Sequence, residues 1–219
     1  MAILTTCLGV SEVSAQAVLQ SYNSVTDSRL INPEDHNWLS YRGTLDGWGF
    51  SKLDQINDGN ISELEPVWSF STGVLGGHES PPIVNDGVMF VTTPGNFLYA
   101  IEAATGDLLW RYQHNLPESY IAFHRTNRGV ALYGDKVYMA TLDARVVALD
   151  AATGEKVWDT PVQDNSFGYY ITMAPLAIDG KILVGTSGGE LGIRGFVVAL
   201  DAESGTEAWR TYTVPGPGE

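Results

Sequence analysis

The sequence predicts an all-β fold, a partial β-propeller of four-stranded antiparallel blades carrying a tryptophan-docking repeat. Three observations predict it. Residues 99–110 (YAIEAATGDLLW), 147–158 (VALDAATGEKVW) and 198–209 (VALDAESGTEAW) align without gaps, and their tryptophans, Trp110, Trp158 and Trp209, recur at 48 and 51 residues. Each copy follows short apolar runs separated by Gly- and Asp-bearing turns, the mark of an antiparallel meander. Glycine is abundant (24 of 219 residues) and charged residues are few (17%), which suits a turn-rich globular chain and not a disordered one. A meander of about 40–50 residues repeated in tandem is the signature of propeller blades.

Taken in order, the first unit reads PPIV, VMFVTT, FLYAIE and LLWRY, with turns at Asn85-Asp86-Gly87, Pro94-Gly95-Asn96 and Thr105-Gly106. The second reads GVALY, KVYMATL, RVVALD and KVW, with turns at Gly134-Asp135, Asp143-Ala144 and Thr153-Gly154. The third reads APLAI, KILVGT, FVVALD and EAWRTY. One blade cannot bury both of its faces, so it must stack on its neighbours. A tryptophan fixed in the last strand is a large flat side chain suited to that contact. A degenerate copy ends at Trp68, 42 residues before Trp110. Closure needs 4–8 blades, so three full blades are expected to be the N-terminal part of a longer propeller, here of eight blades by the resemblance below.

The expected organisation is a signal-peptide-like segment at 1–17 and a partial propeller over 18–219, whose N-terminal arm runs to about residue 66. Residues 2–10 are mostly apolar and Ala15-Gln16-Ala17 gives an A-x-A cleavage pattern, although no Lys or Arg precedes the apolar run. A secretory leader and an ordinary N-terminus both stay open on this segment. Cys7 is the single cysteine, which excludes an intrachain disulfide, a multi-cysteine zinc site and a CxxCH haem attachment within the chain. Trp38, Trp48 and the aromatics around Tyr41 are expected to pack the arm against the blades.

Twelve Lys+Arg against 26 Asp+Glu give a net charge of −14. Such a chain meets polyanions with like charge, which argues against nucleic acid and anionic membrane as partners. No apolar run approaches the ~18 residues of a membrane span.

The repeat supplies a register, and the register isolates three polar residues. Seven positions before the turn aspartates Asp86, Asp135 and Asp179 stand Glu79, Arg128 and Thr172. The first strand of each blade lines a propeller's central channel, so these positions should converge at one mouth of it. A carboxylate, a guanidinium and a hydroxyl there suit a ligand bearing carboxylates and carbonyls. Three unrelated polar residues at strand starts explain the pattern equally well. The third unit also carries extra residues in Ser187-Gly-Gly-Glu190-Leu-Gly-Ile-Arg-Gly195. Its glycines let backbone approach a flat ligand, and Glu190 suits a hard cation; a Gly-rich hairpin with a solvated glutamate fits the same composition. His36, His78, His114 and His124 show no metal-ligand spacing. No Ser-His-Asp set, P-loop or GxGxxG pattern is present.

Together these motifs resemble the pyrroloquinoline quinone (PQQ)-dependent alcohol dehydrogenases of the methanol/ethanol family. Residues 38–56 (WLSYRGTLDGWGFSKLDQI) are similar to that family's N-terminal arm. His78-Glu79-Ser80, residues 127–131 (NRGVA), 171–175 (ITMAP) and 187–195 (SGGELGIRG) are similar to its successive cofactor-site segments. The resemblance implies that Glu79, Arg128 and Thr172 hold the polar edge of PQQ. It implies that Ser187, Gly188 and Gly189 lie near the cofactor, and that Glu190 ligates Ca²⁺ or a lanthanide. It further implies oxidation of a small alcohol to an aldehyde in the periplasm, with electrons leaving to a c-type cytochrome. The family's catalytic base is expected beyond residue 219, so no catalytic residue is assigned within this chain. Where the family carries two adjacent cysteines against the PQQ ring, this chain has Ala122-Phe123, and Phe123 stacking on the ring is the corresponding expectation. The alternative is a non-catalytic propeller of the same repeat, such as an outer-membrane assembly lipoprotein scaffold. That reading predicts no Glu/Arg/Thr set in register, no Gly-rich Glu loop and a true lipobox.

Overall fold

A computed structural model describes residues 17–218. The stretch 1–16, with Cys7 and nearly all of the leader-like segment, lies outside the described residues.

Three four-stranded antiparallel sheets follow one another along the chain. The first holds β1 (Ile83–Asn85), β2 (Val88–Thr93), β3 (Phe97–Glu102) and β4 (Leu108–Gln113). The second holds β5 (Val130–Tyr133), β6 (Lys136–Ala140), β7 (Arg145–Asp150) and β8 (Lys156–Pro161). The third holds β9 (Leu176–Ile178), β10 (Lys181–Gly185), β11 (Phe196–Asp201) and β12 (Glu207–Tyr212). Within each sheet the strands pair in sequence order, which is the meander that the turn spacing predicts. Two-residue Asp-Gly turns join β1 to β2 and β9 to β10, with positive φ at Asp86, Gly87, Asp179 and Gly180, the hand that matches strand twist.

The repeat motif has one local structure in all three sheets. The register shifts at Ala100/Ile101, Ala148/Leu149 and Ala199/Leu200, one residue before the acidic position. The acidic side chain then organises the turn. Asp150 Oδ1 accepts from the Ala152 and Thr153 N–H groups and from the Thr153 hydroxyl. Asp201 Oδ1 accepts from Glu203, Ser204 and the Ser204 hydroxyl in the same way. Such local bonds favour a turn over further strand.

Three tryptophans dock on the sheet that follows them. Trp68, Trp110 and Trp158 donate from Nε1 to the carbonyls of Ala103, Ala151 and Ala202, each at 3.1 Å. Trp68 thus makes the repeat's contact although no strand is assigned around it. The middle sheet has neighbours on both faces, and β6 is buried at every residue. The fourth strands β4, β8 and β12 are the outer, largely exposed ones. Phe90, Tyr138 and Phe196 are the largest buried rings contributed by the three sheets to the core.

The arm lies across the blades. Helix α1 (Asp27–Ile31) is capped by Thr26, whose hydroxyl accepts from the Arg29 N–H. Arg29 clasps Glu34 through two bonds of 2.8 and 2.9 Å and also reaches Asn85 Oδ1. The Arg29 and Asn37 hydrogen bonds hold the Glu34 carboxyl down to about 2. Trp38 pairs by backbone with Val84 and packs on the core. Trp48 and Tyr41 do not pack as expected; they are 77% and 46% exposed. The cause is local: the Gly49 N–H returns to the Arg42 carbonyl, so the loop closes on itself and presents its tip outward. No helix among the described residues is long and apolar enough to cross a membrane.

Candidate functional site

Glu79, Arg128 and Thr172 each stand just before the first strand of their sheet, and the structure brings them into direct contact. The Arg128 guanidinium lies 2.9 Å from Glu79 Oε2 through Nη2 and donates to Thr172 Oγ1 at 2.6 Å through Nη1. The Arg128 backbone N–H also donates to the Thr172 carbonyl at 3.0 Å, so main chain and side chain are fixed by the same neighbour. Thr172 Oγ1 lies 3.2 Å from Ser187 Oγ. Three sheets therefore contribute to one polar cluster. Side-chain exposure at Arg128 and Glu79 is 39% and 46%, so the ion pair faces open space, while Thr172 is buried beneath it.

The Gly-rich segment continues from Ser187. The Ser187 N–H donates to the Tyr170 carbonyl at 2.7 Å, anchoring the segment to the approach to β9. A 3-10 turn, Gly189–Leu191, follows, flanked by left-handed Gly188 and Gly192. Gly188 is required by packing: a Cβ there would sit 2.2 Å from the Gly168 carbonyl oxygen. A Cβ on Gly189 would meet nothing within 4 Å, so that residue borders open space. Glu190 is exposed on the turn. Burial, reinforced by the nearby Glu190 carboxylate, pushes the Tyr170 phenol up.

Phe123 is 60% exposed. With Glu79, Gly76, Gly77 and Pro94 it lines a groove of about 320 Å³, which places its ring on the same side of the cluster as the glutamate. Of the histidines, His36, His78 and His124 are exposed. His114 is buried against Asp143 at 3.0 Å.

The donor set fits a flat, oxygen-rich anion. Arg128 has five N–H groups, of which those to Glu79 and Thr172 account for two, and the Thr172 and Ser187 hydroxyls stand beside it. The fit to a cation is partial. Glu190 is one carboxylate, and no group of three His, Cys, Asp or Glu able to hold a metal occurs among the described residues. A metal here needs ligands beyond those the described residues supply.

Sequence reasoning passed over what lies underneath. Asn127 and Thr92 are both fully buried and bonded to each other across two sheets. Of the three Arg-Gly pairs (42–43, 128–129 and 194–195), only 128–129 follows an asparagine, and that is the one signal the sequence offers.

Residues 38–217 match the family model described as PQQ, glucose/ethanol/alcohol dehydrogenase, β-propeller domain. Quinohemoprotein alcohol dehydrogenase ADH-IIG of Pseudomonas putida is 41% identical over 201 residues, which cover 88% of this chain and 28% of that protein. A solved structure of ADHIIG from Pseudomonas putida HK5 superposes with a TM-score of 0.84, covering 89% of this chain and 29% of that one. A europium-containing methanol dehydrogenase superposes with a TM-score of 0.80 at 37% identity, covering 85% of this chain and 33% of that one. The chain thus spans about a third or less of the length of these relatives.

Proposed function

Because this chain belongs to the family of the PQQ glucose/ethanol/alcohol dehydrogenase β-propeller domain, we propose that it forms part of a quinoprotein that oxidises an alcohol to an aldehyde. The observation that carries the reading is the guanidinium of Arg128 held between Glu79 and Thr172 from two other blades. Arg128 binds a carboxylate of PQQ through its planar fork, and Thr172 and Ser187 donate to the cofactor's remaining oxygens. Glu79, 2.9 Å from the guanidinium, balances the charge of Arg128. Gly189 keeps a side chain out of the cofactor's plane, Gly188 beside it lets the segment pack on Gly168, and Phe123 closes the open side of the groove.

When bound, PQQ supplies the two-electron acceptor that takes hydride from the alcohol carbon. The metal, Ca²⁺ or a lanthanide, supplies Lewis acidity at a quinone oxygen. Glu190 gives that ion one carboxylate. The proton acceptor for the alcohol is not assigned to any residue of this chain. Electrons pass to a c-type cytochrome, in a periplasmic setting that matches the leader-like segment. The scaffold alternative is not favoured, since the family match and the Glu79–Arg128–Thr172 set both point to a dehydrogenase.

The test is equilibrium binding of PQQ with and without Ca²⁺ or a lanthanide, followed by absorbance. Binding should tighten with metal, and Glu190→Ala should remove the metal-dependent part. Metal-assisted affinity that is unchanged by Glu190→Ala counts against the assignment of Glu190, and absence of PQQ binding counts against the function.

A further inference from the structure

Beneath the polar cluster runs a buried chain of hydrogen bonds that no exposed residue takes part in. Ser80 Oγ, next to Glu79, accepts from the Thr92 N–H at 3.1 Å. The Thr92 hydroxyl donates to Asn127 Oδ1 at 2.8 Å. The same Asn127 oxygen accepts from the Gly129 N–H at 3.0 Å, bridging over Arg128. Asn127 Nδ2 donates to the Ala140 carbonyl at 2.9 Å and lies 3.4 Å from Asn96 Oδ1. All four bonding positions of the amide are thus occupied. Thr92 lies on β2 and Asn96 in the turn between β2 and β3, whereas Ala140 lies on β6, so the amide spans the seam between blades. Gly129 has φ of +115°, a conformation that side-chain-bearing residues adopt only under strain, so the backbone that closes the bridge is specific to glycine although a Cβ there would make only ordinary contacts, with Ser80 Oγ at 3.4 Å and Ala174 at 3.7 Å.

The chain has a consequence for geometry. Glu79 and Arg128 come from different blades, and their ion pair is half exposed, too weak by itself to fix two long side chains. Their backbones are instead locked to each other through Ser80, Thr92 and Asn127. We propose that Asn127 is the positioning residue that aims the Arg128 guanidinium, acting from beneath and never touching the ligand. This rests on the reading of Arg128 as a PQQ carboxylate ligand. A site held by buried, fully bonded supports is set to within tenths of an ångström, and loosening those supports costs binding without removing any contact group.

The experiment uses the protein with Asn127→Ser and, since loss of a buried amide can unfold the seam, with Thr92→Val, which removes only the hydroxyl donor. Two readouts are taken. In NMR spectra of the protein without cofactor, the Arg128 Nη–H signals should be resolved in the wild type and averaged by free rotation in both variants, while Arg145 and Arg210 signals are unchanged. In PQQ titrations both variants should bind about tenfold or more weakly, the scale seen when outer supports of a ligand set are removed. Placed on an Arg128→Ala background, the same substitutions should change affinity by less than twofold. Unchanged Arg128 signals in Thr92→Val overturn the proposal, as does a loss of affinity that persists undiminished on the Arg128→Ala background. A wild type that binds no PQQ refutes the functional reading instead, and the NMR comparison then still decides whether Asn127 holds Arg128.

Discussion

Trp110 lies so close to Gly154 that a Cβ on the glycine would sit 2.6 Å from the indole. The same relation holds between Trp68 and Gly106, at 2.6 Å, and between Trp158 and Gly205, at 2.7 Å from the indole. The glycine of the repeat therefore answers two demands at once. Its φ is positive, +73° at Gly154, and its missing side chain is the seat of the preceding blade's tryptophan. Gly154→Ala should destabilise by about 2–4 kcal/mol, adding left-handed strain to overpacking at a blade seam. Urea unfolding monitored by tryptophan fluorescence measures it, and a loss under about 1 kcal/mol would show that the indole moves aside freely.

A second seam contact carries pH dependence. His114, just after β4, donates from Nε2 to Asp143 Oδ2 at 3.0 Å, and the Thr141 hydroxyl donates to the other carboxylate oxygen at 2.6 Å. Burial pushes the Asp143 carboxyl up, but the His114 and Thr141 bonds outweigh it and hold the group below its ordinary value. A depressed folded value means stabilisation that is fully present above the unfolded value of about 3.9 and is lost as pH falls through the folded one. Stability should therefore hold on the neutral side and decline below about pH 4. Asp143→Asn should be less stable at pH 7 and show a flatter decline in acid. Denaturant midpoints between pH 7 and pH 3 check this, and parallel curves for the two proteins would contradict it.

One hydroxyl joins the arm to two blades at once. Tyr133 donates to Asp27 Oδ2 at 2.7 Å and accepts from the Gly180 N–H at 3.0 Å, while Asp27 Oδ1 accepts from the Asp179 N–H. Tyr133→Phe should cost about 1–2 kcal/mol, the usual result of stranding partly buried polar partners. Amide exchange should speed up at Gly180 and in helix α1 and stay unchanged in the first sheet. Uniform protection across the chain would show that the arm's other contacts, Trp38, Arg29 and the Val25–Gly134 backbone pair among them, hold it without this hydroxyl.

The repeat was legible because each of its letters has a separate physical task. The acidic residue caps the turn, the glycine takes positive φ and the tryptophan fills the next seam, so three copies in register specify three blades. The same register located Glu79, Arg128 and Thr172, since equivalent positions on adjacent blades must come near one another. Two things escaped it. Trp48 does not pack the arm against the blades, because its position at the tip of a Gly-closed loop outweighs its hydrophobicity, and nothing in its spacing signals that. Asn127 was passed over because a buried amide is recognised by its partners Thr92, Ala140 and Gly129, two of which lie on strands far from it in the chain or across a turn.

Arg128→Lys separates charge from shape at the candidate site. The lysine keeps the positive charge but offers one ammonium in place of a fork, so it can reach Glu79 or Thr172 and not hold both in the present geometry. The pair's contribution to folding is small because Arg128 and Glu79 are both more than a third exposed, and the urea midpoint should scarcely move. PQQ affinity should fall by about tenfold, equivalent to about 1.4 kcal/mol, because bidentate recognition of a carboxylate is lost. Paired titration and unfolding curves of the two proteins distinguish the cases. Equal affinity would mean that charge alone suffices and that the fork between Glu79 and Thr172 serves the fold; a large loss of stability with proportionate loss of binding would assign Arg128 to the blade seam.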